Sequence, residues 1–249
     1  MKGLIKTKMM NRYLIKLVIR IAIFIIVLGV YITHKEMLYE LTTRSVFMGI
    51  TPVHVLWVLF MGMMLRHIFP MDKLSMAVRK AKPEQYQEVP GYSELELYQF
   101  VRDQNVKAWK VMLVWLFLNG VIGFFYLIQV LDEADLFMIT VFFFLCDYIC
   151  ILFFCPFQSF IMKNRCCVNC RIYDWGHFMM FTPMLFIRNF YSWSLFFTSC
   201  VVLIHWEVIY AKYPERFYSG SNRTLQCANC KDKTCQIKKR VCGKLLDSE

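Results

Sequence analysis

Apolar runs of about twenty residues, the length that spans a bilayer as a helix, alternate along this chain with short segments that hold most of its charge. A chain patterned in this way has few folds open to it. Backbone groups inside a bilayer must pair within their own segment, so the expected class is all-α, a polytopic bundle of about six transmembrane helices. Hydrophobic residues make up 58% of the 249 and charged residues only 19%, too few for an ordinary soluble domain.

The formal charge of +11 could point to nucleic acid, but the Lys and Arg residues lie between and beyond the apolar runs, where the positive-inside rule accounts for them. No recognition motif accompanies the basic tail, so nucleic acid is not expected as a partner. The lipid bilayer is, with anionic lipid headgroups as natural neighbours of the basic segments.

The first run, Leu14 to Thr33, follows Lys2, Lys6, Lys8, Arg12 and Lys16, which keeps the amino terminus in the cytoplasm. It is too long for a signal-peptide core, and Thr33-His34-Lys35-Glu36 is no small-residue cleavage site, so it reads as a retained anchor. The second run, Met48 to Phe69, returns inward. Residues 70–108 form the largest cytoplasmic loop, broken by Pro83, Pro90 and Gly91. Ser93 with Glu96 makes a capping-box pattern, from which one long helix is expected to continue into the third span, Trp109 to Leu131. Asp132, Glu133 and Asp135 place the next turn outside. The fourth span, Leu136 to Phe160, leads back to Lys163, Arg165 and Arg171.

Tyr191 to Ala211 is a further clear span, and the tail after it carries nine basic residues, which keeps it in the cytoplasm. An even number of crossings must then separate residues 171 and 212. A short fifth span at Ile172 to Ile187, interrupted by Pro183, supplies the missing one. An in-plane helix there would instead leave five spans and an external tail. The chain thus divides into a transmembrane domain, 1–211, and a basic cysteine-rich cytoplasmic tail, 212–249, with both termini inside a cell membrane.

Two matching knuckles, Cys167-Val-Asn-Cys170 and Cys227-Ala-Asn-Cys230, stand in the polar segments. Together they offer four thiolates to one tetrahedral ion, and basic neighbours favour the thiolate form. Cys167, Cys170, Cys227 and Cys230 are therefore the expected ligands of a zinc clamp, with Cys166 and Cys235 as further candidates. Cys166, Cys235 and Cys242 also leave open an iron–sulfur cluster or thiol redox chemistry. Cys146, Cys150, Cys155 and Cys200 lie within predicted spans, where a free thiol packs as a small apolar group.

Asp147, near the middle of the fourth span, is the costliest residue to bury and needs a partner or a wet cavity; Arg20 is the nearest cation in depth. Asp147, His177, His205 and Glu207 are the candidates for catalysis, and His67 with His205 approximates a facing pair for haem. Trp109, Trp175 and Trp193 are expected at the membrane interfaces. Asn222-Arg223-Thr224 matches a glycosylation sequon, but on a cytoplasmic tail this is a chance match. The residues therefore fit a membrane protein with a metal site on its cytoplasmic face, a membrane oxidoreductase, or a small transporter. The last would usually show an inverted repeat, which is not visible here.

Overall fold

The computed structural model describes residues 7–40, 51–69, 80, 82–164, 166–230, 233 and 235–238. Its helices are α1 (Lys8–Thr33), α2 (Lys35–Glu40), α3 (Pro52–Ile68), α4 (Glu94–Leu127), α5 (Glu133–Leu152), α6 (Gly176–Phe181) and α7 (Phe190–Lys212). Apart from an isolated bridge between Glu88 and Asn222, the described residues form helices and turns. Helices α1, α4, α5 and α7 are long and apolar enough to cross a membrane; α3, at 17 residues, is shorter. Their outward faces carry exposed Ile19, Ile26, Leu59, Phe117 and Val201, apolar surface that a bilayer would cover.

Local chemistry explains the helix ends. Thr7, Ser93, Asp132 and Asn189 accept the backbone N–H of Met10, Glu96, Asp135 and Ser192 as N-caps, satisfying donors that have no intrahelical partner. Helix α4 runs unbroken for 34 residues from its Ser93 cap, as the capping pattern predicts. Helix α5 stops at Leu152, well short of the expected Phe160. Pro156 has no N–H for the Leu152 carbonyl and disfavours helical backbone at Cys155, so the chain breaks and re-forms as a π-turn over Phe157–Met162.

The pairing of helices fixes their directions. Tyr13 stacks on Tyr148, Arg20 meets Asp147 and Tyr31 donates to Asp135, so α1 runs antiparallel to α5. Tyr191 meets His54, Trp57 donates to Ser194, and His67 lies against Trp206, so α3 and α7 run parallel. Between α5 and α7 the chain climbs through a 3-10 turn at Tyr173–Trp175, the short α6, and a second 3-10 turn at Thr182–Phe186. Trp115 of α4 donates to Thr182 at 3.1 Å, and Phe186 presses on Gly123, where a Cβ would lie 2.3 Å from its ring. Glycine at 123 is what lets this irregular segment pack against α4.

The main core collects Met64, Leu136, Phe181, Val202 and Trp206 between α3, α5, α6 and α7. A second joins Met10, Tyr13 and Leu17 of α1 to Tyr148, Leu152, Val168, Leu225 and Ile237. That second core gathers the start of α1, the end of α5, the first knuckle and the tail at one end of the bundle. The segment before α4 lies there too: Val89 N–H donates to Ser221 and Arg223 N–H to Gln87.

Candidate functional site

Three groups of polar side chains converge at this end. The first is built on Asp147 and Arg20, whose carboxylate and guanidinium meet at 2.8 Å. The guanidinium lies between the rings of Phe144 and Tyr148, 3.8 and 3.9 Å from their centroids, and also donates to the Phe144 carbonyl. Gly176 passes directly over the carboxylate. A Cβ at 176 would stand 2.8 Å from Asp147 Oδ1, so glycine is the residue that admits α6 this close to α5.

The second group is buried. Lys80 Nζ and Asp174 Oδ2 are 2.7 Å apart, with side chains 1% and 3% exposed, so each charge depends on the other. The ammonium also faces the rings of Tyr173, Trp206 and Phe217. His67 Nε2 lies 3.5 Å from the other oxygen of Asp174. The ring neighbours of His67 are His177, at 4.9 Å, and Trp206, at 5.4 Å. The expected pairing of His67 with His205 is therefore replaced by His67 with His177, while half-buried His205 meets Trp206 edge-on. Glu207 is held by Arg171 through both guanidinium nitrogens, one bond measuring 2.6 Å, and by the indole N–H of Trp175 at 2.7 Å. This bidentate pair ties the knuckle to α7. Trp175 is buried beside this pair, whereas Trp109 and Trp193 are exposed.

The third group is the cysteines, all free thiols among the described residues. Both knuckles form turns, with Cys170 N–H donating to Cys167 O at 3.0 Å and Cys230 N–H to Cys227 O at 3.3 Å. Cys167 and Cys170 are buried, Cys227 is exposed, and Cys166, Cys230 and Cys235 are half-buried. Cys166 lies within electrostatic reach of Cys230, and Cys167 within reach of Cys155 and Cys235. Burial pushes the Cys170 thiol up to about 12 and raises Cys166 and Cys167 as well. Among the described residues, no three His, Cys, Asp or Glu side chains are arranged to hold a metal ion; Cys242 lies outside them.

The tail returns to the first knuckle. Asn169 Nδ2 donates to Leu225 O at 3.3 Å, and Lys238 reaches Gln158 Oε1, which also accepts from the Cys167 thiol. Asn222 of the sequon is fully buried: its amide donates to Arg216 O and its oxygen accepts from Thr224. That side chain fastens a turn and offers no acceptor for a glycan.

No family model, curated protein or solved structure matches this chain. The functional reading therefore rests on its own residues. Sequence reasoning brought out Asp147 with Arg20, and the two knuckles. It missed the Lys80–Asp174 pair and the bidentate Arg171–Glu207 pair. A buried acid in the irregular Tyr173–Trp175 turn gives no periodic signal, and neither cation is near its partner in the chain.

Proposed function

We propose that the chain is a six-crossing protein of the cytoplasmic membrane whose inner end is closed by a cysteine cap, in which the knuckle and the tail hold one zinc ion as a structural clamp. The carrying observation is the return of the tail onto the first knuckle through Asn169–Leu225 and Lys238–Gln158. The six crossings are supported by the helix directions, since the segment from Tyr173 to Phe186 climbs from the basic end of the bundle to the start of α7. The basic residues of that end then fall on the cytoplasmic side.

Cys167 and Cys170 from the knuckle with Cys227 and Cys230 from the tail are the ligand set that the two motifs suggest, with Cys166 and Cys235 as further candidates. Four thiolates leave no open position for water, so the ion would join segments rather than activate a substrate. Its binding must displace the protons that burial holds on the knuckle thiols Cys167 and Cys170.

A second reading is thiol redox chemistry, favoured by the free thiols of Cys150 and Cys155, which line one cavity at the end of α5. Closing that pair into a disulfide would pass two electrons and two protons to a lipid-soluble quinone, leaving the quinol. Elemental analysis with a visible spectrum on anaerobically purified protein in detergent separates the readings. Colourless protein with one zinc per chain, lost in both Cys167→Ser and Cys230→Ser, supports the clamp. Iron with acid-labile sulfide overturns it in favour of an electron-transfer centre. A metal-free protein with a reversible Cys150–Cys155 disulfide overturns it in favour of thiol chemistry.

A further inference from the structure

Helices α1 and α3 do not close against each other, and the space between them has two parts of opposite character. The larger is an apolar cavity of about 760 Å³, lined by Ile23 and Val27 of α1, Leu56, Leu59 and Gly62 of α3, and Phe181. Ile23, Leu56 and Leu59 are exposed, so the cavity opens on the surface that lipid would cover. The smaller is a polar chamber of about 230 Å³ at the knuckle end, lined by Tyr13, Lys16, Arg20, Arg66, Asp147 and His177 among others. Met63 and Arg66 line both, so the apolar cavity and the chamber adjoin each other.

The chamber has a charge excess. Among the described residues, three cations, Lys16, Arg20 and Arg66, line it with one carboxylate, Asp147, which is paired with Arg20 at 2.8 Å. Asp174, also near His67, is paired with Lys80. Lys16 and Arg66 form no ion pair among the described residues, although Arg12, Arg20 and Arg66 all crowd Lys16. Cations held together at a membrane edge in excess of their counter-charge repel one another, and a multivalent anion relieves that repulsion. The tyrosine hydroxyls of Tyr13 and Tyr173, 3.2 Å from each other, add donors on the same side.

We propose that the cleft between α1 and α3 binds an anionic glycerophospholipid, with its phosphate in the basic chamber against Lys16 and Arg66 and its acyl chains in the apolar cavity. Charge selects the headgroup and the adjoining apolar space selects a lipid over a soluble phosphate. Neither depends on the metal cap, so this site stands or falls separately from the clamp.

The test is native mass spectrometry of the full chain in detergent, titrated with dioleoyl phosphatidate or dioleoyl phosphatidylcholine, with inorganic phosphate as competitor. One phosphatidate should bind in clear preference to phosphatidylcholine. Lys16→Gln and Arg66→Gln should each weaken it about tenfold or more, the size of a lost charge-assisted contact. Gly62→Phe probes the other half: Gly62 lines the cavity and a Cβ there meets no atom within 4 Å, so the ring is placed to occupy the acyl-chain space, and phosphatidate binding should fall. Equal binding of the two lipids, or no loss in the Lys16 and Arg66 variants, overturns the proposal. Competition by inorganic phosphate together with unaltered binding in Gly62→Phe also overturns it, and makes the chamber a site for a soluble phosphate. Unchanged melting temperatures of the variants identify the losses as losses of binding.

Discussion

Asp147→Leu should destabilise the protein by about 3 kcal/mol, at the lower end of the range for breaking a buried ion pair. The carboxylate and guanidinium are 2.8 Å apart, on side chains 27% and 8% exposed. With the centres of the two delocalised charges ~4 Å apart and an effective dielectric near 20, their attraction is about 4 kcal/mol. Leucine removes that attraction and strands a guanidinium inside the bundle. The stranded cation keeps the Phe144 carbonyl and the faces of Phe144 and Tyr148, contacts of roughly 0.5–2 kcal/mol each, which hold the cost at the lower end. Adding Arg20→Met removes the second charge, and the double variant should return to within about 1 kcal/mol of the parent protein. Denaturant unfolding in mixed micelles, followed by tryptophan fluorescence, gives the four corners of this cycle. A cost below about 0.5 kcal/mol for Asp147→Leu, or a double variant as unstable as the sum of the singles, would refute the claim that the two charges hold each other.

Gly176→Ala should cost about 1–3 kcal/mol, as overpacking does, because the new Cβ lands 2.8 Å from Asp147 Oδ1; Gly62→Ala, with open space at its Cβ, should be neutral or stabilising by up to about 1 kcal/mol. Equal effects of the two, measured by the same unfolding assay, would remove the argument for close approach at 176. Trp175→Phe deletes the indole donor to Glu207 and should cost about 1 kcal/mol, whereas a loss as large as that of Arg171→Met would mean that the guanidinium is not the main partner. Lys35 is raised above its ordinary value by its hydrogen bonds to Asp132 and Asp135. A raised lysine contributes its stability in full below the unfolded value, about 10.4, and loses it only as pH climbs through the folded value. Lys35→Met should therefore shift stability by under about 1 kcal/mol, since the pair is partly solvated, with the difference from the parent flat through neutral pH and shrinking only in strong base. A difference that vanishes between mildly acidic and neutral pH would contradict the assignment.

The long elements were legible because hydropathy and caps are local. Ser93 and Glu96 announced a helix that does run on from the loop through the third apolar segment, and Asp132 and Asp135 marked the turn before α5 and then capped it. Pro156 was visible in the sequence, yet the surrounding phenylalanines kept the apolar count high past the true end of α5. The irregular climb from Tyr173 to Phe186 was located by its shortness and by Pro183, but its composition could not foretell that Gly123 and Gly176 make room for it. The polar end was the least legible part. Lys80 with Asp174, Arg171 with Glu207 and Asn222 with Arg216 are each set by tertiary packing, and such pairs carry no spacing rule. The cysteine motifs announced two turns, but spacing alone carries no signal for how deeply each thiol is buried, which differs between the two knuckles.

Sidedness of the cysteine cap tests the account most directly, because a shared clamp requires the knuckle and the tail on one face of the membrane. Sealed vesicles of both orientations would be treated with a membrane-impermeant maleimide and labelled positions read by mass spectrometry, using a cysteine introduced at exposed Arg223 as the tail reporter and one at exposed Val130 as the marker of the opposite end. The account predicts that Arg223→Cys labels only in inside-out vesicles and Val130→Cys only in right-side-out ones. Labelling of both from the same side would contradict it, and would put the tail across the bilayer from the start of α1.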